Sequence, residues 1–243
     1  MVDVSRETPE AARLFFPGER LALAERYAGL LAGDGVVRGL IGPREGARLW
    51  SRHLLNCAAL AELIPPEATV CDVGSGAGLP GVVLAVARAD LQVTLVEPML
   101  RRTSFLEEVV ASLGLGNVVV VRGRAESLHG SGRFDVVTSR AVAPLPRLLE
   151  WSMPLVAPDG VLLAMKGSTA AAEILDAAPV LEAWHCAPAE VLTVAADIPE
   201  AATTVVRVAW AEPAQVGWRG APPPREEVPA RRAAVRRRRK QKR

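Results

Sequence analysis

Apolar positions recur at helical spacing over residues 9–32 and 43–64, and from residue 69 they gather instead into short blocks separated by longer amphipathic stretches. Pro9-Glu10 opens the first helical stretch, and Gly33-Asp34-Gly35 is expected to break it. In the second stretch Leu49, His53, Ala59 and Leu63 lie near one another on a helical wheel. Arg44, Arg48 and Arg52 form an i, i+4, i+8 row there, and Pro65-Pro66 ends the helix. The Val- and Leu-rich blocks at 69–73, 92–96, 117–121, 134–138 and 161–165 predict strands, with two more at about 189–193 and 203–210. Helices are expected between them at 79–88, 99–113, 145–156 and 170–181. Strands that each feed a helix imply a mostly parallel, seven-stranded sheet covered on both faces. The expected organisation is a single α/β domain, with a helical cap over 1–65, a core over 66–215 and a tail over 216–243.

Composition narrows the partners. Of the 243 residues, 50% are hydrophobic and 23% charged, the balance of a folded chain. Every apolar run is broken well short of the roughly 18–20 residues a membrane span needs. The first seven residues lack the basic-then-apolar pattern of a secretory signal, so no membrane partner is expected. Cys57, Cys71 and Cys186 lie far apart, which argues against a disulfide framework or a metal site and for a reducing, cytoplasmic setting. With only ten aromatic residues, binding of nucleic acid mainly by base stacking is disfavoured. The net charge of +2 hides a split: residues 219–243 carry eleven Lys or Arg against two Glu, a local +9, whereas residues 1–218 sum to −7. That tail is low in complexity and expected to be disordered in isolation, attracting any polyanion without sequence choice.

The strongest motif is Asp72-Val73-Gly74-Ser75-Gly76-Ala77-Gly78-Leu79-Pro80-Gly81, between the first core strand and its helix. Glycines there let the backbone turn sharply and let a ligand approach the main chain. Glu97 ends the second strand, 23 residues after Gly74, where a carboxylate can accept both hydroxyls of a ribose. Two ligands compete. From Gly76 the spacing matches the G-x-G-x-x-G of dinucleotide sites. From Gly74, directly after the strand, it reads G-x-G-x-G behind Asp72, which looks like motif I of S-adenosylmethionine-dependent methyltransferases with the class I, Rossmann-like fold. A glycine turn without a ligand is the third reading. Arg122-Gly123-Arg124-Ala125-Glu126 follows the third strand, where such a fold places the base; Glu126 alone could equally be a solvated carboxylate at a helix start.

Absent motifs narrow the nucleophile. The loop after the fourth strand reads Thr138-Ser139-Arg140-Ala141-Val142, not the Asn/Asp-Pro-Pro-aromatic loop usual in exocyclic-amine methylases. No cysteine follows strands four or five to attack a cytosine ring. Ribose methylation of the Lys-Asp-Lys-Glu kind needs two lysines, and Lys166 is the only one before Lys240. A ring nitrogen such as guanine N7 fits better, because its lone pair is exposed and no general base is required. Arg140 and Lys166 close strands four and five at the end where ligands bind. Arg140 suits O6, a phosphate or the cofactor, and Lys166 a phosphate; both could also be simple strand-end cations. His53 suits a core or supporting role better than acid–base work, and the Arg44, Arg48, Arg52 row either meets RNA or is a solvated face.

Arg52-His53-Leu54-Leu55-Asn56, the glycine motif, Arg101-Arg102 with Phe105-Leu106, Ser139-Arg140-Ala141 and Lys166-Gly167 occur in the order and spacing of the RsmG (GidB) family, which the chain resembles over about residues 20–210. The resemblance implies a cytoplasmic bacterial enzyme that uses S-adenosylmethionine to methylate N7 of a guanosine in the 530 loop of 16S rRNA; the expected partner is 16S rRNA or the small-subunit particle, and the expected working unit a monomer. Another RNA or small-molecule methyltransferase, or a non-catalytic RNA-binding protein that keeps the pocket, are the alternatives. The resemblance implies a cofactor site of Asp72, Gly74, Gly76, Gly78, Leu79, Glu97, Ala125, Glu126 and Arg140. Catalytic roles fall to Arg140 and Lys166. RNA contacts fall to Arg44, Arg48, Arg52, His53, Arg101, Arg102 and Lys166. The chain departs from the family where His-x-x-Asp-Ser is usual: it has His53-Leu54-Leu55-Asn56-Cys57, an amide in place of a carboxylate.

Overall fold

Seven strands form one sheet in a computed structural model that describes residues 8–216. They are β1 (Thr69–Val73), β2 (Gln92–Glu97), β3 (Val118–Arg122), β4 (Phe134–Arg140), β5 (Val156–Lys166), β6 (Glu190–Val194) and β7 (Thr203–Ala209). Their order is β3-β2-β1-β4-β5-β7-β6. Pairings among β1–β5 are parallel, and β7 runs antiparallel to both β5 and β6. The antiparallel β7 separates this sheet from the all-parallel order of dinucleotide-binding folds. Val70, Cys71 and Val73 of the central β1 are all buried, which is why that strand reads as an unbroken apolar block. The order reverses between β1 and β4, opening a crevice at the carboxyl ends of those strands.

Helices α1 (Ala12–Phe15), α2 (Glu19–Leu30), α3 (Leu55–Ala59), α4 (Gly81–Ala87) and α5 (Leu100–Leu113) lie with one face of the sheet. Phe16, Tyr27, Leu31 and Leu54 from the first 65 residues share a buried cluster with Leu84, Leu95 and Phe105. Helices α6 (Leu145–Ser152) and α7 (Ala170–Ala183) cover the other face through a second cluster that includes Leu148, Leu162 and Ala177.

Three expectations are corrected. Gly33-Asp34-Gly35 does not break the first helix: the chain widens into a π turn over Leu31–Gly35 and stays helical to Val37, because Leu31 is fully buried and holds the segment on the core. The second helix is not continuous over 43–64. It passes from a 3₁₀ turn (Gly46–Arg48) through a π turn (Leu49–Leu54) and α3 to another 3₁₀ turn (Leu60–Leu63), so Arg44, Arg48 and Arg52 do not form one α-helical row. β5 begins at Val156, five residues early, through Ala157-Pro158-Asp159-Gly160. A register shift between Phe134 and Val136 absorbs that segment, and a Cβ on Gly160 would lie 2.7 Å from the Asp135 carbonyl oxygen. The tail expected over 216–243 lies, beyond Val216, outside the described residues.

Gly81 begins α4 against β1 and β2. A Cβ there would sit 2.3 Å from Leu95 Cδ2 and 2.7 Å from Asp72 Oδ2, both fully buried. Gly81→Ala is expected to cost about 1–3 kcal/mol by overpacking. Gly116→Ala, with nothing within 4 Å, is expected to change stability by less than about 0.5 kcal/mol. Urea titration of the two variants checks the contrast.

Candidate functional site

The glycine motif occupies the turn between β1 and α4. The N–H groups of Gly74 and Ser75 both donate to the Val96 carbonyl, at 2.9 and 3.1 Å, which folds the turn onto the end of β2. Gly74 has φ +72°, and a Cβ there would lie 2.7 Å from Val142 Cγ2. Gly78 has φ +103° and faces inward, where a Cβ would meet Val82 Cγ2 at 2.5 Å and the Tyr27 hydroxyl at 2.7 Å. The Tyr27 hydroxyl donates to the Ala77 carbonyl at 2.8 Å, so the cap clamps the loop directly.

Glu97, 1% exposed, closes the other side. Its Oε1 accepts the Met99 N–H at 2.9 Å, and its Oε2 accepts the Gly76 N–H at 3.1 Å and Arg102 Nη1 at 3.4 Å. Glu97, Gly76 and Arg102 line a cavity of about 470 Å³ with Gly74, Leu79, His53 and Arg140. Asp72 and Gly78 do not line it; they build the loop from beneath. Asp72 Oδ2 accepts the Gly81 N–H at 3.0 Å, and Oδ1 is buried without a hydrogen-bond partner. Burial pushes the Asp72 carboxyl up to about 7. A carboxyl raised above its unfolded value is protonated in the fold below pH 7, and the stability this gives is lost as pH climbs from about 4 to 7. Ala125 and Glu126 begin a 3₁₀ turn beyond β3 and do not line this cavity; Ala125 is buried and Glu126 exposed.

A second cavity, about 950 Å³, opens on the other side of Arg140, Ala141 and Val142, which also line the first. Arg52, Asn56, Lys166 and Glu173 line it. Ala141 sits in this common wall with φ +55°, a left-handed conformation unusual for a residue with a Cβ. Lys166 Nζ donates to the Ala143 carbonyl at 2.9 Å and to Glu173 Oε2 at 2.6 Å.

Arg140 joins the wall to the cap. Its Nη2 donates to the Arg52 carbonyl at 3.0 Å and lies 2.7 Å from His53 Nδ1, and its Nη1 donates to Cys57 Sγ at 3.3 Å. A guanidinium has no lone pair to offer, so His53 Nδ1 must be the acceptor and its proton sits on Nε2. That Nε2–H points at Glu45 Oε2, 2.9 Å away. Burial, then the charge of Arg140, holds the His53 pKa below its usual value despite Glu45. The hydrogen bond from His53 holds Glu45 below the carboxylate range. Burial pushes the Cys57 thiol up to about 11, so it meets Arg140 as a neutral group.

Of the residues singled out in the sequence, Gly74, Gly76, Leu79, Glu97, Arg102, His53 and Arg140 meet around the smaller cavity, and Arg52, Arg140 and Lys166 around the larger. Arg102 pairs with Glu97 while its side chain stays partly in solvent, and Arg44, Arg48 and Arg101 are exposed outside both cavities. Sequence reasoning missed Glu45, Tyr27 and Glu173. The eight-residue gap from Glu45 to His53 has meaning only once a π turn lies between them, and Glu173 carries no motif.

The family described as rRNA small subunit methyltransferase G matches residues 20–198. A protein of that name from a Nocardioides species is 67% identical, covering 91% of this chain and 90% of its own. Another from Thermobifida fusca is 55% identical, covering 88% and 90%. Among solved structures, a putative O-methyltransferase from Klebsiella pneumoniae is similar with TM-score 0.52 at 15% identity, over 82% of this chain and 93% of its own. The TYW2 protein of M. jannaschii, solved in complex with AdoMet, gives TM-score 0.50 at 17% identity, over 63% and 72%.

The tautomer of His53 predicts a pH dependence. Glu45 and Arg52 on its own segment and Arg140 on β4 are the charged groups that face it. Its pKa lies below 6.5, so the acceptor at Nδ1 persists at neutral pH and is lost only on further acidification. Affinity for the ligand of the smaller cavity is expected to fall on the acid side with a midpoint below 6.5. His53→Asn, which keeps an acceptor near the Nδ1 position, should remove that acid limb. Isothermal titration across pH with both proteins, probed with S-adenosylmethionine, checks it.

Proposed function

Because the chain belongs to the rRNA small subunit methyltransferase G family, we propose that it transfers a methyl group from S-adenosylmethionine to N7 of a guanosine in the 530 loop of 16S rRNA. The observation that carries this reading is the wall of Arg140, Ala141 and Val142 shared by the two cavities, which sets a donor site and an acceptor site side by side. The working unit we propose is a monomer. Among the described residues no helix is long and apolar enough to cross a membrane, and the proposed setting is the bacterial cytoplasm with the small ribosomal subunit or its RNA as partner.

The smaller cavity fits the cofactor chemically. Gly76 leaves the loop backbone open, and among the described residues the cation on Glu97 is Arg102 at 3.4 Å, a contact that ribose hydroxyls can replace. We place the adenine beside Ala125 and Glu126. When bound, S-adenosylmethionine supplies an electrophilic methyl group on a sulfonium. Transfer to N7 would use the base's own lone pair: an N–C bond would form as the S–C bond broke, the positive charge would pass to the guanine, and no proton would leave. The chain's own groups match that balance. His53 Nδ1 already accepts from Arg140, Lys166 is engaged by Ala143 and Glu173, and the Cys57 thiol stays protonated. The work left is positioning, which the Arg140 anchors perform. The exposed Arg44, Arg48 and Arg101 are the proposed phosphate contacts.

Glu97→Gln keeps the shape but replaces one acceptor oxygen with an NH₂ that faces either Met99 N–H or Gly76 N–H, and it removes the charge that ribose hydroxyls would meet. At about 1.5–3 kcal/mol per charge-assisted hydrogen bond, cofactor affinity is expected to drop roughly ten- to a hundredfold, read by isothermal titration, with an unchanged circular dichroism spectrum. The reaction itself is tested by mass-spectrometric mapping of 16S rRNA from cells with and without the protein. N7-methylguanosine in the 530 loop should vanish without it, and an unchanged map would remove the assignment.

A further inference from the structure

We propose that the Lys166–Glu173 pair selects guanine: Glu173 accepts from the N1–H and exocyclic amine of the base while Lys166 donates to its O6. The inference rests on the reading of the larger cavity as the acceptor site and adds to it the residues that choose the base.

The pair is built for a neutral ligand edge and not for a phosphate. Lys166 is 10% exposed at its side chain and has a carboxylate oxygen 2.6 Å from Nζ, so an incoming phosphate would meet Glu173 as well as the ammonium. This displaces the expectation that Lys166 grips phosphate. Yet neither partner is saturated. Lys166 has three N–H donors, of which Ala143 and Glu173 take two. On Glu173, Oε2 is filled by Lys166 and by the Leu145 N–H at 3.0 Å. Among the described residues Oε1 accepts only the Thr169 hydroxyl, at 3.2 Å and from an exposed residue, which leaves it one open lone pair and a second that the hydroxyl can yield. Burial opposes the charge of Glu173, but Lys166, Leu145 and Thr169 outweigh it and hold the carboxyl below its ordinary range. It is therefore an acceptor only.

A donor and an acceptor held side by side at the rim of one cavity complement an edge that offers an acceptor next to donors. Among the bases with an N7, guanine has that edge: O6, then N1–H, then the amine. Adenine offers a donor in place of O6 and a lone pair in place of N1–H, so it would set like against like at both residues. Holding guanine by its six-membered ring also leaves N7, on the five-membered ring, free to attack. Leu145 and Lys166 belong to different elements, the start of α6 and the end of β5, and α7 brings Glu173 to both. The carboxylate is thus fixed by the packing of three elements rather than by its own flexible stem.

Small subunits reconstituted with 16S rRNA carrying inosine in place of the target guanosine test this, since inosine keeps O6, N1–H and N7 but lacks the amine. The full-length protein is expected to methylate guanosine ten- to a hundredfold better than inosine in kcat/KM. Glu173→Gln should lower the guanosine rate and shrink the preference to within about threefold while keeping cofactor affinity. Glu173→Asp, which retains the charge beside Lys166 but withdraws it from the base, should do the same and serves if the Gln variant does not fold. Equal rates on both bases in the unmodified protein overturn the proposal, as does an undiminished preference in the folded variants. Failure to methylate guanosine itself overturns the target assignment, and is told apart because no base is then turned over.

Discussion

A guanidinium has five N–H groups to give and no lone pair to accept with, so enclosing part of Arg140 between cap and sheet obliges the cap to present acceptors. It does so with the Arg52 carbonyl, the Cys57 sulfur and His53 Nδ1. The demand propagates outward. His53 must carry its proton on Nε2, and that proton calls for the carboxylate of Glu45. The π turn over Leu49–Leu54 lies within the segment that sets Arg52, His53 and Cys57 around one side chain of β4. His53 and Cys57 are four residues apart on one helical face, and the π turn frees the preceding Arg52 carbonyl to accept from the same guanidinium.

The charges near the two cavities are arranged in closed groups. Glu97 answers two backbone N–H groups and Arg102, Glu173 answers Lys166, and Glu45 answers His53. Asp72, with burial raising it to about 7, is the exception: one oxygen serves Gly81 and the other serves nothing. Its place under the loop gives it a structural task, fixing the start of α4 against β1. A site whose charges are already engaged suits a reaction in which no proton is taken from the nucleophile.

Much of this was legible in the chain. All seven strands overlap the Val- and Leu-rich blocks that predict them, most plainly the central β1, whose Val70, Cys71 and Val73 are all buried. The glycine loop and Glu97 were legible because a sharp turn after a strand and a carboxylate after the next one are local features. Helical irregularity was not. Gly33-Asp34-Gly35 has the composition of a break, yet burial of Leu31 carries the helix through it. Nor were the pairs Arg102 with Glu97 and Lys166 with Glu173, since which opposite charges meet depends on where helix starts are packed. Asn56, the amide standing where the resembled family has a carboxylate, donates to the Ala202 carbonyl at 3.1 Å, a role only the folded chain discloses.

The shared wall between the cavities has a thermodynamic consequence. Arg140, Ala141 and Val142 are a boundary for both compartments, and Ala141 holds its place there in a backbone conformation that costs on the order of 1 kcal/mol. A ligand that shifts this wall from one side changes the shape met from the other. Linkage then requires symmetry: whatever factor an occupant of the larger cavity imposes on affinity in the smaller, the occupant of the smaller imposes in return. The order in which two occupants arrive can alter the route to the doubly occupied protein but not its free energy, and Arg140, Ala141 and Val142 are the residues through which the wall can carry that coupling.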